Sequence, residues 1–151
     1  MHNAAAGYWG IATGATEASN ALCAHDASFA AGLLEALCQV AVEHTSVLLI
    51  AYDAPYPEPV RSMRPSPETV GVALVLTPAA PVRSSAQLEW RLESSDRVPT
   101  RARPENAALV AGNALSECLS LLEALADRAE RVIVQSAGPR TRLELRVAPA
   151  P

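Results

Sequence analysis

The run Cys23-Ala24-His25-Asp26 places a thiol, an imidazole and a carboxylate within one short stretch. These side chains can attack a carbonyl carbon, move a proton or hold an ion. Which of these they do depends on how the backbone presents them. From Ala27 to about Glu43 apolar residues recur at helical spacing, with Phe29, Leu33 and Leu37 on one face and Ala30, Leu34 and Ala41 beside them. Apolar residues wrap most of this segment, as in a helix buried inside a domain. Ser19 to Ala24 reads as a short strand, and Asp26 as the helix N-cap. The order is strand, tight turn, buried helix. The start of such a helix offers free backbone N–H groups and the positive end of the dipole. A thiol held there is acidified into a strong nucleophile, and a carboxylate is favoured as an anion.

Each of these residues has a plain reading beside its chemical one. Asp26 is a helix cap or a catalytic carboxylate, and no second acid or base stands near it in sequence. Cys23 is a buried core thiol or a nucleophile. His25 faces solvent, or pairs with Asp26 or Cys23. Tyr8 and Trp9 belong to a core or an interface, or stack on a ligand. Arg97, Arg101 and Arg103 form a solvated arginine cluster or a contact surface.

The remaining elements must position that turn. Asn3 to Thr13 reads as a helix whose small residues allow close packing, stopped by Gly14. Val47 to Tyr52 and Gly71 to Leu76 are apolar on both faces, which predicts strands covered on both sides. Between them, residues 54–67 carry five prolines (Pro55, Pro57, Pro59, Pro65 and Pro67) and read as a largely extended loop. Gln87 to Glu93 alternates, with Leu88, Trp90 and Leu92 on one side, so one face is wet. Ser94 to Pro104 is a polar connection. Glu105 to Glu130 reads as one long helix or two, with Leu115, Leu119, Leu122 and Leu125 as its stripe. Arg131 to Gln135, a turn at Ala137-Gly138-Pro139, and alternating Leu143, Leu145 and Val147 make a terminal hairpin. The fold class is mixed α/β.

Composition narrows the functions. The chain of 151 residues fits a single domain, and its 50% apolar content suffices for a full core. A net charge of −4 argues against general binding to nucleic acid or anionic membranes. All 12 basic residues are arginine, which excludes a lysine base or Schiff-base lysine. Cys23, Cys38 and Cys118 have neither metal-ligand spacing nor an even disulfide count, so free thiols and the cytoplasm are expected. No leader pattern opens the chain, and no run approaches the ~18 apolar residues of a spanning helix. His-Glu-x-x-His, P-loop and Gly-x-Ser-x-Gly patterns are absent. No metal or cofactor is expected.

The pattern Asn3-Ala-Ala-Ala-Gly7-x-x-x-Ile11-x-x-Gly14, followed by Ala21-Leu-Cys-Ala-His-Asp26-Ala-Ser-Phe, resembles the β-ketoacyl synthases of the thiolase superfamily. The resemblance continues through Val47 to Asp53 and Gly71 to Leu76, up to residue 78. It implies the amino-terminal half of a thiolase-like domain, with Asp26 where the condensing cysteine belongs and Cys23 three residues too early. A carboxylate is a poor nucleophile toward thioesters, and its adduct would be a labile mixed anhydride. The histidines that serve condensation lie in the family's carboxy-terminal half, whereas this chain carries only His2, His25 and His44. The family's half-domain begins with β-α-β-α elements ahead of the Asn3 to Gly14 helix. Here Met1 abuts that helix, so a misplaced start, a shortened protein or a partner chain filling the gap is expected. Missing central strands would leave apolar edges that invite association.

The resemblance is closest to the ketosynthase-like, amino-terminal-half family that accompanies aryl-polyene and xanthomonadin-type synthesis. It implies a non-catalytic subunit of the chain-length-factor type, oligomeric, partnering an active ketosynthase and an acyl carrier protein. Asn3, Gly7, Tyr8 and Trp9 would then lie at an interface, and Arg97, Arg101 and Arg103 would contact the carrier protein. The alternatives are an acyl-transferring or thioesterase-like enzyme using Cys23 or Asp26, and a truncated, inactive fragment.

Overall fold

Gly14 marks the first boundary. Its φ of +67° is a left-handed turn that ends helix α1 (Ala4–Thr13), as the sequence predicts. The computed structural model describes residues 4–66, 68–78 and 84–150; Asn3 and Pro67 lie outside them. α1 buries none of its residues, so the close packing expected of its small side chains is not made within this chain. Residues 15–24 then run without regular structure, and the strand expected at Ser19 to Ala24 does not form. The apolar run Ala21-Leu22-Cys23 is short and has no neighbouring strand to take up its backbone groups.

A one-turn 3-10 helix at His25–Ala27 leads into α2 (Ser28–Glu43), which buries Phe29, Ala30, Leu33, Ala36, Leu37 and Val40. Leu33 is 0% exposed and Phe29 1%. Burying each such side chain contributes about 1.5–3 kcal/mol. The expected stripe is therefore correct, but the helix is not enclosed all round: Val42 stays 77% exposed. α2 ends at His44, whose φ is +54°.

Strands β1 (Val47–Asp53) and β2 (Val70–Leu76) pair antiparallel, with Val47 opposite Leu76 and Asp53 opposite Val70. Their inner residues Leu49, Ala51, Val72 and Leu74 pack on the core. Gly32 of α2 faces β1, where a Cβ would make an ordinary contact with Leu49 Cδ1 at 3.4 Å. The outer residues Leu48, Ile50, Tyr52 and Val75 are exposed. The double cover expected for these strands is thus corrected to cover on one side. Between them the proline-rich segment, expected as a largely extended loop, also holds a one-turn helix, α3 (Val60–Met63).

Strand β3 (Ala86–Ser94) follows, with Leu88 and Trp90 packed on the core and Leu92 exposed. Of the one helix or two expected at Glu105 to Glu130, the structure has two, α4 (Pro104–Leu109) and α5 (Cys118–Asp127), with a 3-10 turn at Ala114–Glu117 between them. The break lies at Gly112, with φ +82°, and at Asn113, whose side chain accepts a bond of 2.9 Å from the Leu115 N–H. The restart turns the stripe: Leu115, Cys118, Leu121 and Ala124 are buried, while Leu119, Leu122 and Leu125 flank them.

Strands β4 (Arg131–Gly138) and β5 (Thr141–Pro149) form the expected hairpin, and the second sheet has the order β3-β5-β4. Leu143, Leu145 and Val147 are fully buried, as their alternation predicts. Thr100 covers the β4 edge: its N–H donates to Val134 O at 2.7 Å, and its Oγ1 accepts from Val134 N–H at 2.9 Å. α2 touches β1, β2 and β4, so it joins the two sheets. Among the described residues no helix is long and apolar enough to cross a membrane.

This packing predicts unequal costs for one deletion made at two leucines. Leu33→Ala is expected to cost about 2–5 kcal/mol by urea denaturation, through lost burial and a cavity. Leu48→Ala, on the uncovered sheet face, is expected to cost under about 1 kcal/mol.

Candidate functional site

The head of α2 carries the chemistry-bearing side chains. Asp26 lies in the 3-10 turn, and the helix N-cap is Ala27, with no side-chain cap bond. The N-cap reading of Asp26 is therefore corrected. Ser28 closes the turn locally: its Oγ accepts from Ala24 N–H at 2.9 Å and donates to His25 O at 2.6 Å. The Asp26 carboxylate is thereby left for a distant partner, the Arg64 guanidinium at the end of α3. His25 Nδ1 lies 3.0 Å from Asp26 Oδ2, and Arg64 Nη1 lies 2.8 Å from His25 Nε2. Arg64 Nη1 also lies 3.2 Å from His25 Nδ1, so the guanidinium sits against both ring nitrogens. His25 is thus both exposed and paired with Asp26.

Burial alone would raise the Asp26 pKa. The hydrogen bond and charge of Arg64, with help from His25, outweigh it and hold the carboxyl below its usual 3.8. The group is therefore a firm anion, bound on one side by a cation. It lines an open groove of about 450 Å³ with Ala24, His25 and Ala27 on one wall and Ser136 to Pro139 on the other.

The thiols divide differently from expectation. Cys23 is exposed, not buried in a strand. Cys38 is half-buried and Cys118 is buried. Desolvation pushes the Cys118 thiol up to about 11, so it stays protonated and inert at neutral pH.

A polar seam supports the site, and its members are not apparent from the sequence. Tyr56 OH donates to Asp53 Oδ1 at 3.0 Å, and Asp53 Oδ2 accepts from Ala114 N–H at 3.3 Å. Burial and the Asp53 carboxylate push the Tyr56 hydroxyl up. Buried Asn113 donates through Nδ2 to Ser66 Oγ at 3.2 Å and to Glu68 O at 3.1 Å. Glu117 Oε2 accepts from Ser136 N–H at 3.2 Å. Burial raises the Glu117 pKa and the nearby Asp26 charge adds to this, against the pull of Ser136 and Arg142. Tyr56 lies three positions from Asp53, but Arg64, Asn113 and Glu117 reach their partners Asp26, Ser66 and Ser136 across 19 or more positions of chain, so no local pattern announces those three.

The other expected site residues lie apart. Gly7, Tyr8 and Trp9 are exposed on α1, with Tyr8 at 74%. Arg97 pairs with Glu93 and Glu144, and Arg103 with Asp127. Arg101 is exposed. Among the described residues no group of three or more His, Cys, Asp or Glu side chains is placed to hold a metal ion.

Compared with known proteins, the chain matches the family model described as beta-ketoacyl synthase, N-terminal domain, over residues 1–140. Neither the curated proteins nor the solved structures gave a match.

The two perturbed carboxyls predict opposite pH effects. The Asp26 contribution exists above its usual 3.8 and is lost as pH falls through its lower folded value. The Glu117 contribution is present below its usual 4.5 and is lost as pH rises through its higher folded value. In urea midpoints taken from about pH 3 to 7, Asp26→Asn should remove part of the acid-side loss. Glu117→Gln should remove part of the loss on the other side.

Proposed function

The chain belongs to the β-ketoacyl synthase N-terminal domain family, and we propose that it serves there as a non-catalytic, chain-length-factor-type subunit beside an active ketosynthase. One observation carries this reading. The head of α2, where the resemblance puts the condensing cysteine, holds a carboxylate ion-paired to Arg64. A carboxylate bound in this way is a worse nucleophile than a free one, and the thiol chemistry of condensation has no sulfur at that position.

The surface supports a partnered role. α1 carries Tyr8, Trp9 and Ile11 in the open, and the β1–β2 sheet leaves Leu48, Ile50, Tyr52 and Val75 uncovered. Apolar faces of this kind are what partner chains cover. The subunit would help shape the acyl tunnel of a cytoplasmic assembly making fatty-acid-like or aryl-polyene chains. Its carrier-protein contact would fall chiefly on Arg101, since Arg97 and Arg103 are already engaged in ion pairs within the chain.

A second reading, an acyl-transferring enzyme, is favoured by the exposure of Cys23. Turnover of an acyl-thioester that disappears in Cys23→Ser would establish it; equal rates in both proteins would exclude it.

Co-expression with the ketosynthase from its gene neighbourhood should give a complex that co-purifies. A clean monomer with no partner bound would count against the subunit reading. Asp26→Cys should yield no decarboxylative condensation from the chain alone, because its only histidines are His2, His25 and His44. Radiolabelled malonyl-thioester incorporated into product by that variant would overturn the scaffold role.

A further inference from the structure

The proline-rich segment is anchored unevenly. Its first end is tied by Asp53, which bonds Tyr56 OH and Ala114 N–H. Its far end is tied by Asn113, 3% exposed, which bonds Ser66 Oγ and Glu68 O. The middle has no comparable anchor. Arg61 Nε donates to Tyr56 O, Ser62 Oγ to Glu58 Oε2, and Arg64 N–H to Val60 O, all inside the segment. Val60 and Met63 of α3 are 44% and 85% exposed. Among the described residues of this stretch, Arg64 reaches outward, to Asp26 and His25. Behind the segment lies an open cleft of about 670 Å³, bounded by Pro55, Arg61, Pro65 and Ser66 on the strap side and Ala111 and Gly112 opposite.

Part-buried bonds at the first end, a buried bond at the far end and one exposed ion pair between them are the parts of a strap with a catch. We propose that Arg64 is a releasable latch, which clamps the middle of the strap onto the head of α2 and opens while both ends stay fixed. Closed, the latch holds Asp26 and His25 against α3 and keeps Arg61 at the rim of the cleft. Open, it frees the carboxylate and imidazole at the groove mouth and lets α3 lift from the cleft. An exposed ion pair is weak and screened by salt, so the latch opens far more readily than the core unfolds. This inference concerns the chain's own mechanics and stands whether or not it partners a ketosynthase.

Hydrogen exchange read by mass spectrometry on the full chain tests it. In Asp26→Asn the amides of residues 60–64 should exchange about two- to fivefold faster, as expected for loss of one exposed pair. Peptides from α2 and β1 should be unchanged. High salt should produce the same rise in the natural protein and almost none in the variant. Trypsin should also cut after Arg61 faster in the variant by a similar factor. Unchanged exchange at residues 60–64 would overturn the latch. So would an equal rise across α2 and β1, which would make the pair a global stabiliser.

Discussion

Everything else in the molecule hangs on the apolar stripe of α2. Phe29, Leu33, Leu37 and Val40 face inward, and through them one helix joins the β1–β2 sheet to β4 of the other sheet. Leu49 of β1 packs on this core beside Gly32 of the helix. Because α2 is fixed along its length, its first turn is fixed too. His25 and Asp26 are therefore held at a set place, and Ser28 closes the turn beneath them. The seam of Asp53, Tyr56 and Asn113 then brings the proline-rich strap across to meet that place. The site is a consequence of packing at one end and of long-range hydrogen bonding at the other.

This division explains what was legible in the sequence. The α2 stripe and the alternation of Leu143, Leu145 and Val147 are local periodic signals, and both survive in the fold. The strand expected at Ser19 to Ala24 fails because a strand needs a neighbour, which a local pattern cannot supply. The two-sided apolar runs of β1 and β2 correctly predict strands and wrongly predict double cover. Their composition fits cover that this chain places on one side only. The expected stripe of α5 is right in part: Leu115 is buried and Leu122 and Leu125 pack on the core, but Cys118, Leu121 and Ala124 are the more deeply buried residues. Asp26 is misread as a cap because Arg64, the residue that engages its carboxylate, lies 38 positions away. The N-cap preference of aspartate is real but weaker than a charged partner made available by the fold.

The electrostatics set the state of the side chains around the head of α2. With arginine as the sole basic residue type beyond histidine, the chain answers its carboxylates with guanidinium groups: Arg64 to Asp26, Arg97 to Glu144, Arg103 to Asp127. The pairing at Asp26 keeps that group ionised and engaged. The buried thiol of Cys118 is held protonated, and Cys23 sits in irregular chain away from the helix start. At the head of α2 the side chains therefore offer an ion-paired carboxylate rather than a thiol.

As a scaffold subunit, the chain should carry out no covalent acyl chemistry at the head of α2. Intact mass spectrometry after incubation with an excess of acyl-thioester tests it directly. The account predicts an unmodified mass, with no adduct on Asp26 or Cys23. A stoichiometric acyl adduct mapping to either residue would contradict it.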